Sequence, residues 1–213
     1  MADFTLNDLP VPRGRIVRQR VGCWYADLEV AADVVNAGPG VIRVGDLRLS
    51  GWIVNPGSYY GRAPVYMIGC RNGGFLRRIP GRSYTLGVPL MAPIMDILRA
   101  INEQLDDATP LDAGIASVRL PSYTRIADTA EACLSMLIQR WAVWRTTDGG
   151  NVSVLVERWP AHTGQLYLIQ DEPNHLAATY AIDDLSLYPG TILEGRRVDA
   201  VEYIWDSEAL RVH

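Results

Sequence analysis

Hydrophobic and polar positions alternate with a period of two in the first part of the chain. Ala26, Leu28 and Val30 alternate with acidic neighbours, and Gly45-Asp46 separates two apolar arms at residues 41–44 and 47–49. A two-residue loop that begins with glycine favours a type II′ hairpin. Short apolar stretches at about 8–12-residue spacing over the first 85 or so residues predict four or five strands, which suits a small barrel or sandwich.

Turn residues mark the ends of these predicted strands. The second arm of the hairpin is expected to continue through residues 52–54 and to stop at Asn55-Pro56-Gly57, a strong turn signal. Asn72-Gly73-Gly74 is expected to separate a strand within residues 59–69 from another within residues 75–84.

Apolar positions in the middle of the chain recur at helical spacing. Residues 94, 97, 98, 101 and 105 are all Ile or Leu and predict a helix near 90–105. Asp128-Thr-Ala-Glu131 is an Asp-headed variant of the capping box and predicts a second helix near 129–141. Residues 106–124 are expected to form the connection between them.

The two-residue period returns after the second predicted helix. Asp148-Gly149-Gly150-Asn151 is expected to be a hairpin loop between strands at residues 143–146 and 152–156. Further strands are predicted at residues 166–169, 175–182, 197–205 and 210–212.

These elements predict a β-rich α+β fold with two tube-like β-barrel or sandwich domains. The expected division is an N-terminal β-domain at residues 1–86, a two-helix α+β segment at residues 87–147 and a C-terminal β-domain at residues 148–213.

Composition narrows the possible functions. The net charge is −4 and all twenty basic residues are Arg, so Schiff-base chemistry, a phosphate-loop lysine and a lysine general base are excluded. An acidic net charge argues against a surface that binds nucleic acid. The N-terminal residues do not resemble a signal peptide, and no apolar run approaches the ~20 residues of a membrane span. We therefore expect a chain without a membrane span that is made in a cytoplasm.

Cysteines and histidines form no recognisable site. Cys23, Cys70 and Cys133 lack CxxC spacing, and His162, His175 and His213 include no pair at helical spacing. Cys133 with His162 or His175 is the one conceivable nucleophilic pair. Because Cys133 lies on the apolar side of a predicted helix, we expect it to be structural.

Paired carboxylates are the remaining candidates for acid–base chemistry. They occur at Asp106-Asp107, Asp171-Glu172 and Asp183-Asp184. Adjacent acids on a strand point to opposite faces, and in loops they are usually solvated. We predict that the chain is not an enzyme and that it has no catalytic residue, cofactor or metal site.

Three stretches, in order along the chain, resemble the tail hub (baseplate hub) proteins of tailed bacteriophages. The first is residues 21–30, a Gly22-x-Trp24-x-Ala26-Asp27 phrase like the opening strand pair of those hubs, followed by the hairpin through Gly51 and the segment Gly61-Arg62-Ala63. The second is like the helix-then-hairpin unit of the family. It runs through Leu120-Pro121, Thr129-Ala130-Glu131, Trp144-Arg145, Asp148-Gly149 and Trp159-Pro160. The third is similar to the closing phrase of the second β-domain. It comprises Tyr188-Pro189-Gly190, Gly195-Arg196-Arg197, Val201-Glu202-Tyr203 and Leu210-Arg211.

The resemblance covers residues 20–212 and implies a structural virion protein of the tail tip or baseplate. Three copies would form a ring that joins the sixfold tail tube to a threefold tip or spike and lines the DNA channel. The implied partners are further copies of the chain, a tail tube or distal tail protein, a spike or tail-tip protein and a tape measure protein, with DNA only in transit.

Three alternatives remain open. The chain is also compatible with another tube-like tail component, such as a distal tail or tube protein, and with the hub of a tailocin or secretion machine. A small cell-wall hydrolase would need a clustered nucleophile or acid pair, and the sequence offers none at motif spacing.

Overall fold

The computed structural model describes residues 4–56, 58–108, 111–164, 166–172, 177–181, 185–205 and 209–213. Within these ranges far more residues lie in strands than in helices, so the predicted β-rich α+β class is confirmed. None of the helices within these ranges is both long enough and apolar enough to cross a membrane.

Seven strands precede the helical part of the chain. They are β1 (Phe4–Leu6), β2 (Leu9–Pro10), β3 (Arg13–Gln19), β4 (Tyr25–Val30), β5 (Gly38–Val44), β6 (Leu47–Asn55) and β7 (Ala63–Ile68). The predicted hairpin loop is confirmed, because Val44 pairs with Leu47 across Gly45-Asp46. Gly45 has a φ of 54° and Asp46 is not among the positive-φ residues, which is the pattern of a type II′ turn.

The middle of the chain combines three helices with short strands. The helices are α1 (Met91–Ala100), α2 (Ala113–Ser117) and α3 (Ala130–Ile138), and a 3-10 helix covers Gly74–Leu76. The strands are β8 (Arg78–Ile79), β9 (Arg82–Tyr84), β10 (Val88–Pro89), β11 (Arg119–Leu120), β12 (Tyr123–Arg125), β13 (Asp128–Thr129), β14 (Val143–Thr146) and β15 (Val152–Leu155).

Six strands lie among the described residues of the last part of the chain. They are β16 (Leu168–Glu172), β17 (Ala177–Ala181), β18 (Ile192–Leu193), β19 (Arg196–Arg197), β20 (Ala200–Ile204) and β21 (Ala209–Val212). These agree with the strands predicted from the alternating pattern, except that β18 and β19 form an additional two-stranded hairpin. Residues 175, 176 and 182 of the predicted strand at 175–182 lie outside the described residues.

Both predicted helices exist, but each is shorter than expected. α1 ends at Ala100, where Asn102 adopts a φ of 60° and the Glu103 amide donates to the Leu98 carbonyl at 2.9 Å. A left-handed residue after the last turn is a common helix stop. The cap of α3 is Thr129 rather than Asp128, because Asp128 is held extended opposite Ile79. The prediction of an Asp-headed cap was therefore wrong.

The strand expected within residues 75–84 is interrupted. Its beginning forms the 3-10 helix, and β8 and β9 follow as two separate short strands. Each pairs with a strand from residues 119–129, which were expected to belong largely to a loop. β8 to β13 thus form an irregular antiparallel ribbon, with β10–β11, β9–β12 and β8–β13 paired in turn.

One antiparallel sheet of eleven strands joins the two ends of the chain. Its order is β16-β17-β21-β20-β3-β4-β7-β6-β5-β1-β2. The link between the ends is β20 against β3, where Tyr203 faces Ile16. The predicted division into domains at residues 86 and 147 is a statement about which parts fold independently. Strand pairing does not test it, so it stays a prediction.

The sheet curls until its β1 end meets β3. The ring of Phe4 lies 2.9 Å from where a Cβ on Gly14 would stand, and it packs edge-on against Trp205 with ring centroids 5.0 Å apart. The Ala31 amide also donates to the Pro10 carbonyl, which ties β2 to the end of β4. The sequence tolerates this closure because Gly14 leaves room for the Phe4 ring.

Two hydrophobic cores lie in the molecule. The sheet core contains Ile16, Leu28, Met67, Tyr203 and Leu210, so both ends of the chain contribute to it. The helical core lies around α1 and α3 and includes three apolar helix positions and two stacked aromatic rings. These residues are Ile94, Leu98 and Leu134, together with Phe75 and Trp144, whose centroids are 4.8 Å apart.

Candidate assembly surfaces

The three cysteines are free and buried. Burial raises the pKa of Cys23 and Cys133, and it raises that of Cys70 to about 12. Because the thiolate is the reactive form of cysteine, raised pKa values keep these thiols unreactive near neutral pH. The Cys133 thiol donates to the Ile126 carbonyl at 3.5 Å, and its structural role stays a prediction.

The conceivable nucleophilic pair occupies two different parts of the structure. Cys133 lies on α3 in the helical core, whereas the backbone amide of His162 donates to Ile192 at the start of β18. His175 lies outside the described residues. His213 places its Nε2 atom 3.4 Å from the carboxylate of Glu202. The absence of a catalytic site stays a prediction.

Three of the paired carboxylates form ion pairs or hydrogen bonds with neighbouring side chains. Asp171 is bound by both terminal nitrogens of Arg196, at 2.7 and 2.9 Å, and Glu172 pairs with Arg211 at 2.7 Å. Asp106 accepts a long hydrogen bond from Asn151, while Asp183 and Asp184 lie outside the described residues. Within the described part of the chain, no group of three His, Cys, Asp or Glu side chains could hold a metal ion.

A buried polar cluster joins the sheet to the helical part of the molecule. Arg18 on β3 forms an ion pair with Asp148 in the β14–β15 loop, and its guanidinium lies 3.5 Å from the centre of the Tyr188 ring. The Tyr188 hydroxyl donates to the same carboxylate. Three segments far apart in sequence therefore meet at one guanidinium.

The electrostatics of this cluster favour a charged Arg18. Burial opposes the charge, but Tyr203, Tyr188 and Asp148 outweigh that penalty and raise the pKa of Arg18. Burial also raises the pKa of Tyr188, and it raises that of Tyr203 to about 12. The cluster is thus an arginine cation between neutral phenols, and sequence analysis missed it because Arg18, Asp148 and Tyr188 are 40 to 170 residues apart.

A second polar cluster fastens α1 to the β9–β12 strands. Asp96 accepts from the Tyr84 hydroxyl at 2.6 Å and from Arg125 at 2.9 Å, and it also pairs with Arg82. Burial works against the Asp96 carboxylate, but these three donors lower its pKa. Burial and the neighbouring Asp96 raise the pKa of Tyr84 to about 12, so the phenol remains a donor.

Glu103 holds the predicted turn at residues 72–74. Its buried carboxylate accepts from the backbone amides of Arg71 at 3.0 Å, Asn72 at 2.8 Å and Gly74 at 3.3 Å. Charge-assisted hydrogen bonds from several backbone amides are strong, so this carboxylate stabilises the turn. It explains why an acid follows α1 in an otherwise apolar environment.

The solvent face of the curled sheet carries paired charges. Arg15 on β3 contacts Asp27 on β4 at 3.0 Å and Glu202 on β20 at 3.2 Å. Arg62 contacts Glu29 at 2.6 Å. Two arginines are thus paired with three acids across neighbouring strands, which leaves no excess of positive charge among these residues.

Several large apolar side chains are exposed in groups. Tyr167, Leu168 and Ile169 are consecutive and lie at or beside β16, the last strand at one edge of the large sheet. Leu86 and Ile126 lie on the ribbon formed by β8 to β13. Tyr59 and Tyr60 pack edge-on at the surface, with ring centroids 5.7 Å apart. Runs of exposed apolar residues on a globular chain mark contact surfaces.

No protein-family model and no curated protein matches the sequence. Among solved structures, the chain is similar to the 43 kDa tail protein of prophage MuSo2 from Shewanella oneidensis, with a TM-score of 0.68 and 10% identity over 100% of this chain and 95% of that one.

The chain is also similar to the E. coli c3393 protein, with a TM-score of 0.66 and 12% identity over 100% of this chain and 73% of that one. That protein is described as a component of the type VI secretion system with structural similarity to the T4 bacteriophage tail proteins gp27 and gp5. The expected resemblance to phage tail proteins is confirmed at the level of the fold: over its whole length, the chain has the architecture of a prophage tail protein and of a type VI secretion component.

Proposed function

We propose that the chain is a structural hub of a phage tail, joining the sixfold tail tube to a threefold tip or spike. The observation that carries this proposal is the likeness of the fold to a prophage tail protein over 100% of this chain and 95% of that one. The second neighbour, which is described as similar to two T4 tail proteins, supports the same assignment. The location that follows from it is the tail tip or baseplate of a virion assembled in the bacterial cytoplasm.

The hub would be a ring of three copies. Each copy would bring tube-like β-structure from residues 1–86 and 148–213, so that three copies would imitate sixfold symmetry toward the tube. Cyclic symmetry ends assembly after a fixed number of copies. A permanent contact of this kind should bury at least ~1,000 Å² in total, with arginine and aromatic side chains near its centre.

The paired charges on the sheet face suit a channel through which DNA passes. The ion pairs of this face join two arginines, Arg15 and Arg62, to three acids, Asp27, Glu29 and Glu202, so these residues leave no excess of positive charge. A lining rich in unpaired arginine would bind phosphates by counterion release and hold the DNA. A balanced face would let it slide, which supports contact with DNA only in transit.

The remaining partners would be other tail proteins. A tail tube or distal tail protein would dock on one side of the ring and a spike or tail-tip protein on the other, with a tape measure protein in the lumen. These contacts follow from the position between the tube and the tip.

Electron microscopy and light scattering of the purified full-length chain test the proposal. We expect a ring with threefold symmetry, a central hole and three times the 23.6 kDa mass of the chain. Sixfold rings would favour the alternative of a tube or distal tail protein. A chain that remains monomeric at high micromolar concentration would contradict the ring.

A hub of a tailocin or secretion machine is the second candidate, and the similarity to the type VI component favours it. Immunogold labelling of particles from the producing strain distinguishes the two, because a phage particle carries a DNA-filled head and the other machines do not.

We further propose that the protein has no catalytic activity. Purified protein should leave peptidoglycan intact on a zymogram and should not hydrolyse an ester substrate. Turnover that disappears in Cys133→Ala or His162→Ala would establish a hydrolase instead.

A further inference from the structure

A small cavity lies where the large sheet meets the helical part of the molecule. It has a volume of about 190 Å³ and is lined by Tyr25 on β4, Tyr66 on β7 and Glu131 on α3. The buried side chains of Cys23 and Phe75 also line it. Because a water molecule takes up about 30 Å³ in the liquid, this space holds roughly six waters or one side chain of similar volume.

The carboxylate of Glu131 is the one charged group on this cavity. It accepts a hydrogen bond from the backbone amide of Cys23, and none of the described residues that line the cavity is basic. One amide occupies only one of about four acceptor positions of a carboxylate. Burial raises the pKa of Glu131, because a half-buried charge has lost part of its hydration. A cation in the cavity would give this carboxylate the partner that it lacks.

The backbone around the carboxylate leaves room for it. Gly22 has a φ of 103°, and a Cβ at this position would stand 2.8 Å from the Oε1 atom of Glu131. A side chain here would be strained and would press on the carboxylate. The other acid near the two tyrosines, Asp27, is already paired with Arg15 at 3.0 Å. Glu131 is therefore the acid that a ligand would meet.

The two tyrosines add aromatic surface beside this acid. The ring centroids of Tyr25 and Tyr66 are 6.2 Å apart, with 37° between the ring planes, and both side chains are half-buried. Burial raises the pKa of Tyr66, and the charges of Asp27 and Glu131 add to the rise, so this phenol stays neutral. The face of a neutral phenol ring attracts a cation within about 6 Å of its centre, and more strongly where water is excluded.

We propose that this cavity binds the guanidinium group of an arginine that a neighbouring protein molecule inserts. The guanidinium pairs with the Glu131 carboxylate and lies against the rings of Tyr25 and Tyr66. It suits the site better than an ammonium group because it is planar and more weakly hydrated, stacks on aromatic rings and binds a carboxylate through two parallel hydrogen bonds. A neutral apolar group would leave the carboxylate buried and unpaired. This inference goes beyond the proposed ring and does not depend on it.

Isothermal titration calorimetry of the full-length protein with Nα-acetyl-arginine amide tests the site. The guanidinium is the only charge on this probe, and Nα-acetyl-citrulline amide is its neutral counterpart of nearly the same shape. We expect the arginine probe to bind with a Kd of about 1 mM and the citrulline probe to bind at least about tenfold more weakly.

Two variants separate the charge from the aromatic surface. Glu131→Gln keeps an oxygen for the Cys23 amide but removes the charge, so the arginine probe should bind at least about tenfold more weakly while the circular dichroism of the wild type is retained. Tyr66→Leu should weaken binding about threefold, since one cation–π contact is lost. Asp46→Asn is the matched control, because Asp46 is an exposed acid of the β5–β6 turn that does not line the cavity, and it should bind like the wild type.

Several results would overturn the inference. They are equal binding of the citrulline probe, an affinity unchanged in Glu131→Gln, and no heat of binding at about twenty times the expected Kd. Equal binding of Nα-acetyl-lysine amide would overturn the preference for guanidinium over ammonium. A monomeric wild type that still binds the arginine probe would contradict the proposed ring and support the site.

Light scattering of the same proteins identifies the source of the arginine. A smaller mass for Glu131→Gln than for the wild type and Asp46→Asn would assign the arginine to a second copy of this chain. Equal masses, together with the loss of probe binding in Glu131→Gln, would assign it to a different protein.

Discussion

The two hydrophobic cores are built in different ways. The helical core draws almost entirely on residues 68–154, with Cys23 as its member from outside that range. The sheet core takes residues from Phe4 to Val212 and depends on the pairing of β20 with β3. The helical core can begin to form from local segments, whereas the sheet core requires both ends of the chain to meet. Non-local pairing is slower to form and entropically more costly.

The chemistry of the cores differs as well. The helical core contains the stacked rings of Phe75 and Trp144 and the buried side chains of Cys70 and Cys133. The sheet core relies on alternating aliphatic side chains and on glycines that let aromatic rings approach the backbone. The free energy of unfolding should therefore respond most to a loss of side-chain volume in the helical core. In the sheet core it should respond most to an atom added beside the backbone.

The largest effect should follow the loss of an aromatic ring from the helical core. Trp144→Ala removes a fully buried side chain that stacks on Phe75 and donates to Ser135 at 2.9 Å. We expect the free energy of unfolding to fall by about 4 kcal/mol. Urea denaturation measures it, with Met136→Ala on the exposed side of α3 as the control. A loss below about 1 kcal/mol would mean that the ring is not part of the core.

The next largest effect should arise where the sheet core has no room for a methyl group. A Cβ on Gly69 would lie only 2.2 Å from the Nε1 atom of the Trp24 ring. Gly69→Ala should lower the free energy of unfolding by about 3 kcal/mol, because the ring must leave its position. Gly149→Ala is the control, since its new Cβ meets only the Thr147 hydroxyl at 3.8 Å. Equal stabilities of the two variants would contradict the close approach.

A smaller effect is expected at the polar cluster between the cores. Asp148→Ala leaves the buried Arg18 without its carboxylate partner, and we expect a loss of about 2 kcal/mol, moderated because Asp148 is partly exposed. The two cores should then unfold less cooperatively, which lowers the denaturant m-value. Asp199→Ala removes an exposed partner of Arg20 and should cost under about 1 kcal/mol. Identical m-values and stabilities would show that the cluster does not couple the cores.

The smallest effect is a dependence on pH near α1. The pKa of Asp96 is lowered in the folded chain, so its contribution to stability is present above the unfolded pKa of about 4 and is lost as the pH falls through the folded value. We expect a loss of about 1 kcal/mol below pH 4 in the wild type that is absent in Asp96→Asn. Thermal melts between pH 5 and pH 2.5 measure it. Parallel curves for the two proteins would contradict it.

Local patterns predicted the regular elements well and the irregular ones poorly. The hairpin at Gly45-Asp46 and the strands on both sides of Asp148 follow directly from alternation and turn residues. The 3-10 helix at Gly74–Leu76 and the ribbon strands do not, because a two- or three-residue strand has too few positions to show a period. The cap of α3 shifted by one residue because Asp128 is used in strand pairing.

The candidate surfaces were only partly accessible from the sequence. The absence of catalytic residues at motif spacing could be seen directly in the sequence. The exposure of Leu86, Ile126 and Ile169 could not be predicted from the sequence, since a leucine or isoleucine is more often buried than exposed.

The sequence by itself determined the β-rich class, the positions of both main helices and the resemblance to phage tail proteins, because these depend on local periodicity and short phrases. Only the tertiary structure decided that both ends share one curled sheet, that Arg18, Asp148 and Tyr188 meet, and which apolar side chains remain uncovered. Those features depend on contacts between residues 40 or more positions apart, and periodicity carries no information about which distant strands pair.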